Sequence, residues 1–465
     1  MRDWTQRSPV RDQERDLGGD WHGDSKRRIA AMRIFLIIWA GQLVSLLGTG
    51  MTRFALLVWA WQQTGEATTL ALLGFFSYGP YVLVSPFAGI VVDRLDRRWV
   101  MLLADLCAGL MTVGLLLLFS TGELRIWHLY LAESLASVFE AFQIPAYSAS
   151  ITMLVSKEQY ARTSGMHSLA QSTSTVLAPI FAGVLLGLVG IGGVMLIDVA
   201  TFLFAVFTLL LVRIPRPSRV TDTSDMLESS LGELSFGFRY IFARRGLLGL
   251  LLIFAGMNLF AALTYYSILP AMILARTGSD ELALATVQGA LGVGGVVGSL
   301  LIGIWGGPKR RIHACLTGAA LSFLVGDFLM AVGRVVPTWV VAAFLGAVFI
   351  PFITSAQQAI WQSKVAPDVQ GRVFSAKGML QMATFPVGYL LAGPLADWVF
   401  EPAMVAGGPL ADVLGWLVGT GPGAGMGLMF VCTSVLGMAM SLSGYLFDAV
   451  RNVEVDLPDH EQVLA

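Results

Sequence analysis

Long, nearly uncharged apolar runs alternate along this chain with short breaks of Gly, Pro or charge, and that alternation leaves few architectures open. About 20 apolar residues are what an α-helix needs to cross a hydrocarbon core. In lipid every backbone N–H and C=O must be satisfied within the protein, so such runs are predicted to be helices and not open sheet. Bounding the runs by Gly, Pro and charge predicts helices at 34–61, 68–92, 98–120, 126–154, 162–189 and 193–213, then at 246–273, 281–304, 312–333, 337–361, 372–399 and 424–447. Composition agrees, because 55% hydrophobic against 13% charged residues needs lipid as solvent. The expected fold is all-α and membrane-integral: twelve transmembrane helices in two six-helix, pseudo-symmetric halves.

The breaks give the organisation. Residues 1–33 carry charges of both signs before any apolar run, the wrong order for a cleavable signal peptide, and read as a cytoplasmic tail. The first half spans 34–213 and the second 246–447. Between them 214–245 is a polar linker ending in an amphipathic stretch, and 448–465 forms a second tail. Positive charge is retained on the cytoplasmic face of a membrane. Of the 30 Lys and Arg, 26 fall in the tails, the linker and alternate loops, whereas Arg125, Arg276 and Arg334 take the other side and Arg53 sits within a span. Both termini are therefore expected in the cytoplasm, with the chain in the cell (inner) membrane. A shift of 210 residues superposes Ala146 on Ala356, Glu158 on Asp368, Arg162 on Arg372 and Gln171 on Gln381, a weak repeat that relates the halves in parallel.

Several classes of chemistry find no support in the residues. There is no G-x-x-x-x-G-K-[ST] loop for ATP, no HExxH or GxSxG, and the three cysteines, Cys107, Cys315 and Cys432, lie apart within apolar runs. No enzyme activity, cofactor, metal or nucleic-acid partner is expected. An ion gradient is the remaining source of work.

The loop Gly89-Ile-Val-Val-Asp93-Arg94-Leu-Asp96-Arg97-Arg98 resembles the signature loop of the major facilitator superfamily, G-x-x-x-D-R-x-G-R-R. Asp96 stands where many members have Gly, and the second-half counterpart, Gly303 to Arg311, has Gly307 in the acidic position. The stretches from Asp93 to Asp105 and from Gln143 to Pro215 are similar to the branch that holds enterobactin exporters and macrolide efflux proteins. The resemblance implies a usually monomeric transporter in which Asp93 meets the N-terminus of the eleventh helix, near Arg372, and holds a cytoplasmic gate closed with Arg94, Arg97 and Arg98. Asp105 would brace that gate from above. Ala178-Pro179-Ile-Phe-Ala182-Gly183 is similar to an antiporter motif of superfamily exporters, with Ala replacing two glycines; Pro179 and Gly183 also suit ordinary close packing.

Charge inside a bilayer is costly and by default marks function. Arg53 in the first helix and Glu133 in the fourth sit at similar depth, and the resemblance places both helices at the central cavity. An Arg53–Glu133 ion pair is expected, either as a static strut or as a coupling switch. Glu140 follows Glu133 by two helical turns on the same face, near mid-bilayer, and suits proton coupling or contact with a cationic substrate. Asp198, Asp327, Lys377 and Asp397 are expected to be structural or to cap helix ends. Gln42, Tyr78, Tyr147, Asn258, Tyr265 and Tyr266 are candidate cavity residues, in a setting of apolar walls and few polar anchors that suits an amphipathic organic molecule. The expected function is export of such a molecule, a siderophore, macrolide or similar compound, in exchange for protons; the alternatives are a facilitative or uptake carrier of the same fold and, more remotely, a non-transporting receptor or scaffold.

Overall fold

The computed structural model describes residues 21–155, 159–211 and 235–457, with side chains described from Met32 onward except at 89–90, 93–94, 152–154 and 161. The first 20 residues of the expected tail, most of the linker and the last eight residues lie outside that set. The described residues are helical almost throughout and contain no strand.

Ten stretches are long and apolar enough to cross a membrane. Nine of them are α1 (Met32–Thr64), α2 (Ala67–Ala88, whose helix runs on to Arg94), α3 (Arg97–Ser120), α7 (Arg245–Thr277), α8 (Glu281–Trp305), α9 (Arg311–Val332), α10 (Val336–Lys364), α11 (Gln370–Met404) and α12 (Ala424–Ser443). The tenth, Arg162–Leu211, is 50 residues long and breaks at Gly190, whose φ of 65° is open to glycine at little cost. It thereby divides into α5 (160–189) and α6 (191–211). The remaining long helix, α4 (Ile126–Leu154), has 29 residues, roughly 43 Å of rise; Glu133 and Glu140 make it less apolar than the rest. With that helix and that division, the arrangement is consistent with the expected twelve crossings.

Two extensive contacts join the first six helices to the last six, α5 on α8 and α2 on α11, and the end of α7 touches α1 and α2 more lightly. Under the repeat read from the sequence, α2 corresponds to α8 and α5 to α11, so the two contacts exchange. Small residues bring these helices together. A β-carbon at Gly183 would stand 2.6 Å from Ala285 Cβ, and one at Gly393 would stand 2.4 Å from Thr68 Cα.

Buried side chains show where the molecule is closed. On the side of the α1–α2, α7–α8 and α11–α12 connections, a single apolar core runs through both sets of helices, from Phe54 and Trp59 to Ile268, Trp339 and Phe430. On the side of the linker there are two separate cores. Phe35, Met101, Tyr147 and Leu209 belong to the first set, and Leu250, Leu316, Ile360 and Val373 to the second. The halves are thus sealed on one side and parted on the other. The short helix 235–242 packs into the second of these cores through Ile241. Lys364 Nζ donates to the carbonyls of Glu454 (2.6 Å) and Leu457 (2.5 Å), which fastens the end of the described chain beneath α10.

Candidate functional site

Position 53 falls in the part of α1 nearer the sealed side, where the helix faces α4 across the first half. Arg53 Nε lies 3.5 Å from Glu133 Oε2, and Arg53 Nη2 lies 3.7 Å from Glu140 Oε2. Two turns separate the carboxylates, and the planar guanidinium spans the gap by presenting different nitrogens to each. Between them Ser137 turns away and donates to the carbonyl of Phe76 on α2. Side-chain exposure is 40% at Arg53, 19% at Glu133 and 44% at Glu140. The pair with Glu133 is thus the more enclosed, and Glu140 is the more exposed of the two carboxylates. With two carboxylates against one guanidinium, the cluster carries an excess negative charge whenever both acids are ionised.

A second polar group lies toward the linker side. Asp105 on α3 accepts from Gln42 Nε2 (2.9 Å) and from Gln143 Nε2 (2.6 Å), which joins α1, α3 and α4. Gln42, expected to face substrate, is engaged with Asp105; Asp105, expected to brace the basic loop, holds two amides two turns above it. Gln143, one turn beyond Glu140 on the same helix, joins this group without any sequence signal of its own.

Aromatic side chains bridge the halves next to Glu140. Tyr78 on α2 packs on Phe385 of α11 (ring centroids 5.3 Å apart), and Tyr266 in the turn of α7 packs on the same ring (5.2 Å). Glu140 is within electrostatic reach of Tyr78 and Tyr81. Asn258 is half-buried on α7. Two of the expected cavity tyrosines sit elsewhere. Tyr147 is 7% exposed and packs on His167 within the first half (5.0 Å). Tyr265 points into the second half, its ring edge-on to Phe430 and its hydroxyl fitted against Gly326 and Gly346. Tyr265 and Tyr266 are neighbours in the turn of α7 and point different ways, which takes Tyr265 off the face that Tyr266 occupies.

At the signature loop, Gly89, Asp93 and Arg94 lie outside the residues whose side chains are described. Arg97 Nη1 donates to the carbonyl of Ala149 near the end of α4 (3.0 Å), and Arg98 Nη2 to that of Leu210 at the end of α6 (2.9 Å). Cations at helix C-termini are favoured by the backbone dipoles. Asp96, the departure from the motif, caps α3 by accepting from the backbone N–H of Arg98. Pro179 lies within α5, and Gly183, one turn on, lies at the contact with α8.

The family model described as Major Facilitator Superfamily matches residues 38–389, most of the membrane region. The chain belongs to that superfamily. Among its relatives, macrolide efflux protein A of Streptococcus pyogenes is 28% identical over 367 residues, 78% of this chain and 89% of that protein. Multidrug efflux pump Tap of Mycolicibacterium fortuitum is 23% identical, over 80% of this chain and 90% of that one. Among solved structures, a bacterial homolog of the human lysosomal transporter Spinster, in an inward-facing and unoccupied conformation, superposes with a TM-score of 0.65 at 18% identity. It covers 92% of this chain and 99% of its own, a likeness of fold. The superfamily is one of membrane transporters, and its members named above place this chain near macrolide and multidrug efflux proteins. The motif and the flanking text had pointed to the same branch. What the sequence did not reveal is Phe385, a lone Phe among 27 whose role depends on the partner half.

Proposed function

We propose that this protein is a proton-driven exporter of an amphipathic small molecule, working by alternating access between two six-helix halves, 34–213 and 246–447, with both termini in the cytoplasm. The observation that carries the reading is the single guanidinium of Arg53 shared between an enclosed carboxylate, Glu133, and a more exposed one, Glu140. Protonating Glu140 removes one claim on Arg53 and leaves the other, so the cluster has two charge states that can favour two arrangements of the helices. A difference of interaction between states is what any switch needs. The basic loops, the linker and the parted cores share one face, which supports loading of substrate from the cytoplasm. Relatives named for macrolide and multidrug efflux support the outward direction and an apolar organic cargo.

The test is substrate-stimulated proton movement in proteoliposomes, with a panel of macrolides and siderophores, for the wild type beside Glu140→Gln. Proton flux elicited by one compound and abolished by the substitution supports antiport at Glu140. Substrate flux indifferent to both the pH gradient and Glu140 sinks antiport and leaves a facilitative or uptake carrier of the same fold.

A further inference from the structure

On the sealed side of the molecule, one helix start is capped from the opposite half. The residue preceding α2, Glu66, makes no side-chain hydrogen bond to its own helix. Its two leading N–H groups are taken instead by Asp397 of α11: the amide of Ala67 donates to Oδ1 at 3.0 Å and that of Thr68 to Oδ2 at 2.7 Å. The repeat partner of α2 behaves differently. Helix α8 is capped by its own Asp280, which accepts from the amides of Leu282 and Ala283. Glu401, one turn beyond Asp397, likewise caps within its own half, on the amides of Gly423 and Met426 at the start of α12.

The backbone of α11 is shaped for this reach. Pro394 removes a backbone donor, and one residue beyond it Ala396–Phe400 winds as a π-turn, a local form frequent at functional sites. The absence of a β-carbon at Gly393 lets α11 approach Thr68 closely enough for the carboxylate to meet the helix start. A carboxylate at a helix N-terminus gains both the orphan N–H donors and the favourable end of the dipole. A cavity of about 370 Å³ lined by Trp61, Ser279, Asp397 and Glu401 borders the contact, so water can replace the amides when the helices part.

From this we infer that Asp397 is a positioning residue of the transport cycle: it latches α11 to the start of α2, holds the sealed side shut while the linker side is open, and releases when the halves rock the other way. The inference rests on the alternating-access reading above. It places a carboxylate latch on the α2–α11 contact at the end opposite to the signature loop.

The test uses the full chain in membrane vesicles with Cys107, Cys315 and Cys432 replaced by Ser, and a reporter Ala71→Cys. Ala71 is fully buried on α2 between Thr68 and Gly74, which face Gly393 and Tyr389. A membrane-impermeant maleimide is applied from the sealed side. Removing two hydrogen bonds to a charged group is expected to raise the labelling rate about tenfold in Asp397→Ala, with Asp397→Asn between it and the parent. Should Asp397→Ala not insert, the Asn variant carries the same reading. Adding Glu66→Asp gives α2 a cap of its own, and labelling is expected to stay fast. Labelling unchanged in both Asp397 variants overturns the latch; so does full reversal by Glu66→Asp, which would make Asp397 a cap and nothing more. Labelling needs no substrate, so loss of proton coupling in proteoliposomes would be read separately.

Discussion

At the scale of single residues, the Arg53 cluster and the Asp105 group make opposite demands. Arg53 answers two carboxylates, so Arg53→Ala leaves both uncompensated beside apolar helices. We expect transport to fall to background and stability to drop by about 1–2 kcal/mol, a modest figure because the guanidinium is only partly buried. Adding Glu133→Gln should recover much of the stability, read as a detergent melting curve, but none of the transport. Asp105 is instead an acceptor for two amides. Asp105→Leu should cost about 2–4 kcal/mol, because Gln42 and Gln143 are each left with a donor unmet, whereas Asp105→Asn keeps one acceptor oxygen and should cost less than half of that. Equal melting temperatures for the two variants would remove this account. The sequence disclosed Arg53, Glu133 and Glu140 because charge inside an apolar run is conspicuous. It could not disclose Gln143 or Phe385, whose residue types are unremarkable in such helices and whose roles exist only through the helices opposite them.

At the scale of elements, the two halves repeat a clasp with its parts exchanged. In the first half Asp198 on α6 accepts from Thr49 on α1 (3.3 Å) and Thr112 on α3 (3.1 Å). In the second, Asp327 on α9 accepts from Thr433 on α12 (3.1 Å), and beside it Thr264 at the turn of α7 donates its hydroxyl to the carbonyl of Phe260 (3.0 Å). Thr49 and Thr264, like Thr112 and Asp327, are 215 positions apart, so the acid has moved from the sixth helix to the ninth while its hydroxyl moved the other way. A residue-by-residue comparison scores this as mismatch, which is one physical reason that the repeat is faint in sequence and clear in space. Each clasp brings together three helices of one half, so Asp198→Ala and Asp327→Ala should each lower stability by about 1–3 kcal/mol by leaving buried hydroxyls without their acceptor. The clasps share no residue, so the double variant should equal the sum within about 0.5 kcal/mol. A large departure from additivity in thermal or denaturant unfolding would mean that the halves do not respond independently.

At the scale of the whole molecule, the fold was legible because lipid permits little besides apolar helices, and the distribution of Lys and Arg gave an expected orientation. The conformational state was not legible, since the same sequence must serve every state of a transport cycle. It is read only from the cores: one shared on the sealed side, two separate on the linker side. That arrangement predicts how the molecule moves. If the halves rock about the contacts of α2 with α11 and of α5 with α8, the linker-side ends must approach as the sealed side opens. Spin labels at Ser164 on α5 and Ser375 on α11, both exposed near the linker-side ends, report the first distance. Labels at Gln63 and Asp412, both exposed on the sealed side, report the second. In acid with a transported compound present, the first distribution should shift to shorter distances and the second to longer ones, in the same fraction of molecules. If Glu140 carries the coupling proposed above, Glu140→Gln should fix that fraction against pH. Shortening on the linker side with no change on the sealed side would mean that the halves bend rather than rock, and the shared core would then be a permanent plug.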